Sequence, residues 1–302
     1  MCTAISVVDA KSKIINGKIG WSGGPSIKQL FLLHPSIMYY IAKNPSTPEV
    51  YNKLIQSCKY FFEKMAIFVA SDLYTTGMYE KTKICLYIDC RHHTKCCINV
   101  SLNKLSTKIW VTNILGLDKE NILTFSSLIF PKLFRWNNIQ LDGFSDNIMY
   151  DDFKKVASFL TDFSFWRSQI INNDGSVVML DKILEITPNI KEFYFSFWDD
   201  ISMINPATMK NICKLKNLQN VESFRLFHIP EVFNVDDLST FVKNHQNTKI
   251  VFDFVGEISE EYKIQLDALI DTVIESEVHN CRIQYRGQNE EKYKIMNELY
   301  HL

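Results

Sequence analysis

The densest group of potential ligand atoms in this chain is Cys85-x4-Cys90-Arg91-His92-His93-Thr94-Lys95-Cys96-Cys97. Thiolate and imidazole at tetrahedral geometry suit zinc, but structural zinc sites pair cysteines across a short gap and separate the pairs by a longer loop. Here the second pair is adjacent, and adjacent side chains seldom both reach one ion. The segment reads instead as a β-hairpin, in which Ile84, Leu86 and Ile88 alternate, Arg91–Lys95 turns, and Cys97, Ile98 and Val100 return. Carboxylates and histidines elsewhere are as poorly placed for chemistry. His228, close to Glu231, follows a strand pattern, while Asp151-Asp152 opens a helical one, where acidic side chains favour the dipole. Asp199-Asp200 reads as a solvated turn, because a hard cation needs several converging oxygens. The glycine-rich stretch Gly17–Pro25 ends in Gly24-Pro25, where a phosphate-binding loop needs Gly-Lys-Ser/Thr opening a helix. Signatures of serine hydrolases, zinc proteases and kinases are missing from the chain. The expectation is a non-enzymatic protein with no metal and no cofactor.

Composition narrows the class of partner. The 302 residues are 46% hydrophobic and 13% aromatic, with 10 Gly and 8 Pro, which describes a globular chain with one large or two ordinary domains. Lys plus Arg at 33 against Asp plus Glu at 34 gives a net charge of −1, so no global field draws in nucleic acid or an anionic membrane. Neither is expected as a partner. The eight cysteines lack the dense spacing of a secreted disulfide framework and read as reduced thiols. Asp9 interrupts the first apolar stretch before a signal core forms, and the most apolar window, Leu30–Ala42, is too short to span a bilayer. A soluble cytoplasmic protein is expected, with access to the nucleus left open.

The elements that position these residues follow from periodicity. Residues 1–29 read as a flexible leader. Across 30–64, Leu33, Ile37, Met38 and Ile41 share one helical face, Asn44-Pro45 breaks it, and Val50, Tyr51, Leu54, Ile55, Cys58, Phe61 and Phe62 continue. The second helix starts either at Ser46 with Glu49 as a capping box or at Thr47 with Pro48 as first helical residue. Residues 65–107 form a β-rich connector. From 108 to 287, short runs of alternating aromatic or β-branched residues recur, centred near Trp110, Leu141, Ser164, Phe195, Arg225, Phe252 and Ile283, roughly 23 to 31 residues apart. Between the later ones lie amphipathic stretches at 151–160, 176–187, 206–218, 235–245 and 259–277. Units this regular cannot bury their apolar faces singly, so the fold class is α/β, with parallel strands stacked into a leucine-rich-repeat-like curved solenoid. A doubly wound α/β sheet is the alternative, although no Gly-x-Gly-x-x-Gly turn follows any candidate strand. Residues 288–302 supply a capping helix, with Met296 and Leu299 turned inward.

The N-terminal helices carry a resemblance. Leu33-His34-Pro35-Ser36-Ile37-Met38-Tyr39-Tyr40-Ile41 and Leu54-Ile55-Gln56-Ser57-Cys58-Lys59-Tyr60-Phe61-Phe62 resemble a divergent F-box, whose pattern starts Leu-Pro and ends in Cys-Lys plus an aromatic. His34 stands where that proline is expected, and Pro35 follows it. With Asn44–Leu54, Lys108-Ile109-Trp110-Val111-Thr112 and Ile229-Pro230-Glu231-Val232-Phe233, the chain is similar to a large nematode family of F-box-like repeat proteins, over most of residues 30–280. The resemblance implies a substrate receptor of a cullin-type ubiquitin ligase, in which the helices bind a Skp-type adaptor and the repeats hold a protein target.

Leu33, Pro35, Ile37, Ile41, Leu54, Cys58 and Phe61 are the expected adaptor surface. The same residues packed against the first repeat would instead describe a repeat scaffold with no ligase connection. On the repeats, Ile139, Leu141, Phe163, Phe165, Phe193, Phe195, Phe197, Phe224, Leu226, Ile250, Phe252 and Phe254 should fill the core. Their alternates form an open row of Gln140, Asp142, Ser164, Trp166, Tyr194, Ser196, Trp198, Arg225, Phe227, Val251 and Asp253. Within it Trp166, Tyr194, Trp198, Arg225 and Phe227 are the expected target-binding residues, since aromatic and guanidinium side chains dominate binding hot spots.

Overall fold

A computed structural model describes residues 13–15, 18–20, 31–74, 82–85, 97–117, 122, 124–144, 147–166, 169–197 and 201–301. It divides into two compact units, Met1–Ile139 and Gln140–Leu302. No helix among the described residues is long and apolar enough to cross a membrane.

In the first unit, β1 (Lys13–Ile15) pairs antiparallel with β2 (Lys18–Gly20). Three helices follow: α1 (Pro35–Lys43), α2 (Pro48–Ser57) and α3 (Lys59–Lys64). Each begins at a side chain that satisfies an orphan backbone donor. His34 Nδ1 accepts from the Ser36 N–H at 3.3 Å, Thr47 Oγ1 from Val50 at 3.2 Å, and Cys58 Sγ from Tyr60 at 3.4 Å. Of the two starts the sequence offers α2, the structure takes Thr47 with Pro48 in the first turn. Met38, Ala42, Cys58 and Phe61 form a buried cluster among the three helices, enclosed by Phe31, Ile41, Leu54, Ile55 and Tyr60.

The strands of this unit are β3 (Ile67–Tyr74), β4 (Thr82–Cys85), β5 (Cys97–Val100) and β6 (Lys108–Leu117), in the order β5-β4-β3-β6. β4 and β5 pair antiparallel with Cys85 opposite Cys97, as a hairpin requires; residues 86–96 lie outside the described residues. β3 and β6 are parallel, and their register shifts between Ala70 and Asp72. At that irregularity the buried Asp72 carboxylate accepts from the Asn113 side chain at 2.7 Å and the Ile114 N–H at 3.2 Å, so backbone displaced from the ladder still finds a partner. A second cluster, of Tyr51, Ile67, Val69 and Trp110, joins α2 to β3 and β6. Strand β7 (Leu133–Phe144) begins in this unit and runs on into the next. Its Arg135 donates to the Pro45 carbonyl at 2.6 Å and lies over the Trp110 ring, holding the α1–α2 link.

The second unit continues with β8 (Ile148–Met149), α4 (Tyr150–Ala157), β9 (Asp162–Trp166), β10 (Ile170–Ile171), α5 (Leu180–Glu185), β11 (Glu192–Ser196), α6 (Thr208–Ile212), β12 (Ser223–Phe227), α7 (Val235–Asn244), β13 (Lys249–Phe254), α8 (Glu260–Glu275), β14 (Cys281–Tyr285) and α9 (Glu290–His301). Strands β7, β9, β11, β12, β13 and β14 are neighbours in that order, all parallel. The fold is thus mixed α/β with an open parallel sheet. The order never reverses, so these strands contain no switch point of the doubly wound kind. All seven centres read from the sequence fall within strands. Two helices are shorter than their patterns suggest. The 176–187 stretch is helical only over Leu180–Glu185, because Asp174 and Ser176 build a turn and Val177 bridges back to Ile171. The 206–218 stretch is helical over Thr208–Ile212 and ends in a separate 3-10 turn at Lys216–Asn220.

One face of these strands is almost continuous phenylalanine. Phe163, Phe193 and Phe224 lie in register on successive strands with ring centroids 5.6 and 5.2 Å apart, and Phe165 and Phe195 form a second row at 5.9 Å. Phe153 of α4, Phe241 of α7 and Tyr262 of α8 pack onto this face. Truncating any one fully buried ring costs about 3–5 kcal/mol. Side chains also fasten successive strand–helix segments to one another: Asn189 Nδ2 donates to Ser158 O at 2.6 Å, Asn217 Nδ2 to Leu184 O at 2.8 Å, and Thr248 Oγ1 to Val221 O at 2.8 Å.

Candidate functional site

Because side chains alternate along a strand, the face of the second unit opposite the phenylalanine ladder carries its complement. Register places Ser164, Tyr194, Arg225, Val251 and Arg282 side by side across five strands, with Ser196, Phe227 and the Asp253–Gln284 pair in the next row. Arg225 and Arg282 sit two strands apart, so their backbones are separated by about 9–10 Å with Val251 between them.

Tyr194 and Phe227 stack at 4.7 Å with 24° between their planes, a half-buried aromatic anchor. Burial pushes the Tyr194 phenol above its ordinary range, the Asp253 charge pushes further, and Arg225 opposes both. Asp253 is buried, and its Oδ2 accepts from Gln284 Nε2 at 2.7 Å. Burial also holds its carboxyl above the usual carboxylate range, against the Gln284 hydrogen bond and the attraction of His228 and Arg282. Asp253 Oδ1 and the Nε atoms of Arg225 and Arg282 are shielded from solvent without a hydrogen-bond partner. An unmade hydrogen bond at a buried group costs about 1–3 kcal/mol, so this face holds unused recognition capacity. The Arg282 guanidinium lies 5.1 Å from the Tyr300 ring of α9. What the arrangement offers is guanidinium donors, a carboxylate acceptor and a stacked aromatic pair.

His228 follows β12 in a left-handed conformation (φ 53°), and its Nδ1 lies 2.9 Å from Ser196 Oγ. That is the distance of a nucleophile and its base. Ser196, however, is a buried strand residue, and its bond goes to the nitrogen that faces the carboxylate in a hydrolytic triad. Glu231, read beside His228 in the sequence, turns away to accept from the Ser259 N–H and hydroxyl at the start of α8.

Among the expected target-binding residues, the structure brings Tyr194, Arg225 and Phe227 together, all half-buried on one face. The Trp166 side chain and all of Trp198 lie outside the described residues, as do the side chains of Gln140 and Asp142. Ser196, Val251 and Asp253 belong to the same face but are buried. Arg282 and Gln284 were not in the expected row, although the inward alternation Cys281, Ile283, Tyr285 identifies them.

The expected adaptor residues separate into two groups. Leu33 is 49% and Ile37 46% exposed, and Pro35 is exposed with them. Ile41 and Leu54 are half-buried around the helical cluster. Cys58 and Phe61 are interior, so their assignment to a docking surface is corrected: they hold the three helices together. Tyr39, Tyr40 and Val50, not singled out in the sequence, are exposed on α1 and α2.

Among the described residues no three His, Cys, Asp or Glu side chains converge as a metal site. Cys90, His92, His93, Cys96 and Asp199-Asp200 lie outside the described residues. No protein-family model matches the chain, and no curated protein matches it in sequence.

Proposed function

We propose that this protein is a non-enzymatic substrate receptor of a cullin-type ubiquitin ligase. Its F-box-like helices bind a Skp-type adaptor, and the open face of its leucine-rich-repeat-like strands holds a protein target. One observation carries the first half: of the twelve exposed large hydrophobic residues among the described residues, six (Leu32, Leu33, Ile37, Tyr39, Tyr40 and Val50) fall on or beside α1 and α2. Apolar surface concentrated in this way favours a protein partner. Other residues of the same helical unit are already engaged, since Tyr51 and Ile55 of α2 pack against β3 and β6. Packing on strands and docking an adaptor therefore use different residues. For the second half, a stacked aromatic pair beside guanidinium groups has the composition of a binding hot spot.

The test is a binding titration of the full chain against the Skp-type adaptor. Leu33→Asp with Ile37→Asp is the control, because both positions are exposed and the substitutions leave the helical core intact. Saturable binding, weakened about ten-fold or more in the control at unchanged melting temperature, supports the reading. Absence of binding by the folded wild-type chain removes it and leaves a repeat scaffold without a ligase connection.

A further inference from the structure

We propose that the cleft at the carboxyl ends of β13 and β14 receives the cationic side chain, lysine or arginine, of a bound polypeptide. This rests on the reading of the second unit as the target-binding half. The cleft has a volume of about 370 Å³, and its walls include Asp253, Val255, Gln284, Arg286, Glu290 and Tyr293.

The demand for a donor comes from Asp253. The residue is 5% exposed, one carboxylate oxygen is held by Gln284, and the other has no partner. An unpartnered carboxylate oxygen takes an N–H or O–H donor, and a donor that also carries positive charge offsets the burial that disfavours the ionised carboxyl. A lysine ammonium or an arginine guanidinium brings several donors together with the compensating charge. An anionic occupant would have to set its charge against Asp253 and Glu290. Among the described residues that line the cleft the one cation is Arg286, which is exposed, while His228 and Arg282 attract the Asp253 carboxylate from beside it.

The walls also suit the stem of such a side chain. Val255 is 50% and Tyr293 37% exposed, giving an apolar strip and an aromatic ring along which methylene groups lie while the charged head goes deeper. The turn after β14 keeps the entrance open. Gly287 has φ 88°, nothing lies within 4 Å of the place a Cβ would occupy, and Gln288 folds back to accept from the Tyr285 N–H at 3.3 Å.

The experiment titrates the isotope-labelled full chain with N-acetyl-arginine amide and N-acetyl-lysine amide. N-acetyl-citrulline amide serves as the uncharged isostere and N-acetyl-glutamate amide as the anionic control. Saturable shifts at Gln284 and Gly287 are expected with the cationic probes, with about ten-fold weaker binding of citrulline. Asp253→Asn should weaken the cationic probes about ten-fold, and Tyr293→Ala, at an exposed position, about three-fold with unchanged melting. The proposal is overturned if the wild-type chain shows no saturable shift, if citrulline or glutamate binds as well as arginine, or if both variants keep wild-type affinity. Titration of the adaptor against the same sample separates the two readings. Cation binding without adaptor binding retains the cleft and removes the ligase role, whereas adaptor binding without cation binding removes the cleft alone.

Discussion

The Tyr51 hydroxyl accepts from the Ile67 N–H at 2.9 Å and lies within donating distance of the Met65 and Ile67 carbonyls, at 3.0 and 3.2 Å. It thereby satisfies backbone where the chain passes from α3 into β3, and the ring fills the cluster between helix and strands. Tyr51→Phe keeps the ring and leaves the Ile67 donor buried without that partner. Urea unfolding should show a loss of about 1–3 kcal/mol. Burial pushes the phenol from its ordinary 10.0 up to about 12, so the folded state favours the neutral form. Its contribution is complete below about pH 10 and is lost as pH rises toward 12, each pH unit in that window removing about 1.4 kcal/mol. Stability of the Phe variant should fall less steeply across the same window. Gly116 makes a second demand of this kind: a Cβ there would meet the Tyr74 ring at 2.6 Å, so Gly116→Ala should cost about 1–3 kcal/mol in the same measurement. Neither requirement is legible in the sequence. Tyr51 reads there as one more apolar position on a helix, because its polar partners are supplied by a strand that the helical pattern does not mention.

The start of α2 was legible down to a choice between neighbours. Ser46 with Glu49 and Thr47 with Pro48 both satisfy the rules for an N-terminus, and the structure uses the Thr47 hydroxyl. Thr47→Ala should destabilise by about 1 kcal/mol in thermal or urea unfolding, while Ser46→Ala should be close to neutral. At the other end of the chain, α9 covers an edge strand. Ile283 donates its N–H to the Met296 sulfur at 3.0 Å, and Gln288 Nε2 reaches the Ile283 carbonyl at 3.4 Å. The inward position of Met296 was expected from its spacing, whereas Leu299 is only half-buried. Deleting residues 288–302 uncovers the β14 ladder, so the truncated chain should aggregate in light scattering at concentrations where the full chain is clear. Unchanged scattering would show that α9 is dispensable as a cover.

At the level of the molecule, strand succession carries the architecture. Parallel strands that neighbour one another in chain order put every crossover in the same relation to the sheet, which is why one face collects phenylalanine and the other Tyr194, Arg225, Phe227 and Arg282. In the cysteine- and histidine-rich segment 85–97, strands β4 and β5 set Cys85 directly opposite Cys97. Purified protein should contain less than about 0.1 zinc per chain by mass spectrometry, given that a structural site takes four ligands. Stoichiometric zinc would require the segment to be read as a metal knuckle.

Periodicity alone was enough to place the seven strand centres, the positions but not the lengths of the helices between them, the inward phenylalanines and the outward Tyr194 and Arg225, because alternation and helical spacing are local properties of the chain. The burial of Cys58 and Phe61, the exposure of Leu33 and Ile37, the half-satisfied carboxylate of Asp253 and the registers that set Arg282 beside Val251 and Gln284 beside Asp253 came only with the fold. The physical reason is the same in each case. An apolar helical face declares that something will cover it but not what, and a polar side chain on a strand declares which face it occupies but not which partners lie across the neighbouring strands. Those answers depend on residues far apart in the chain, and they exist once the strands have paired.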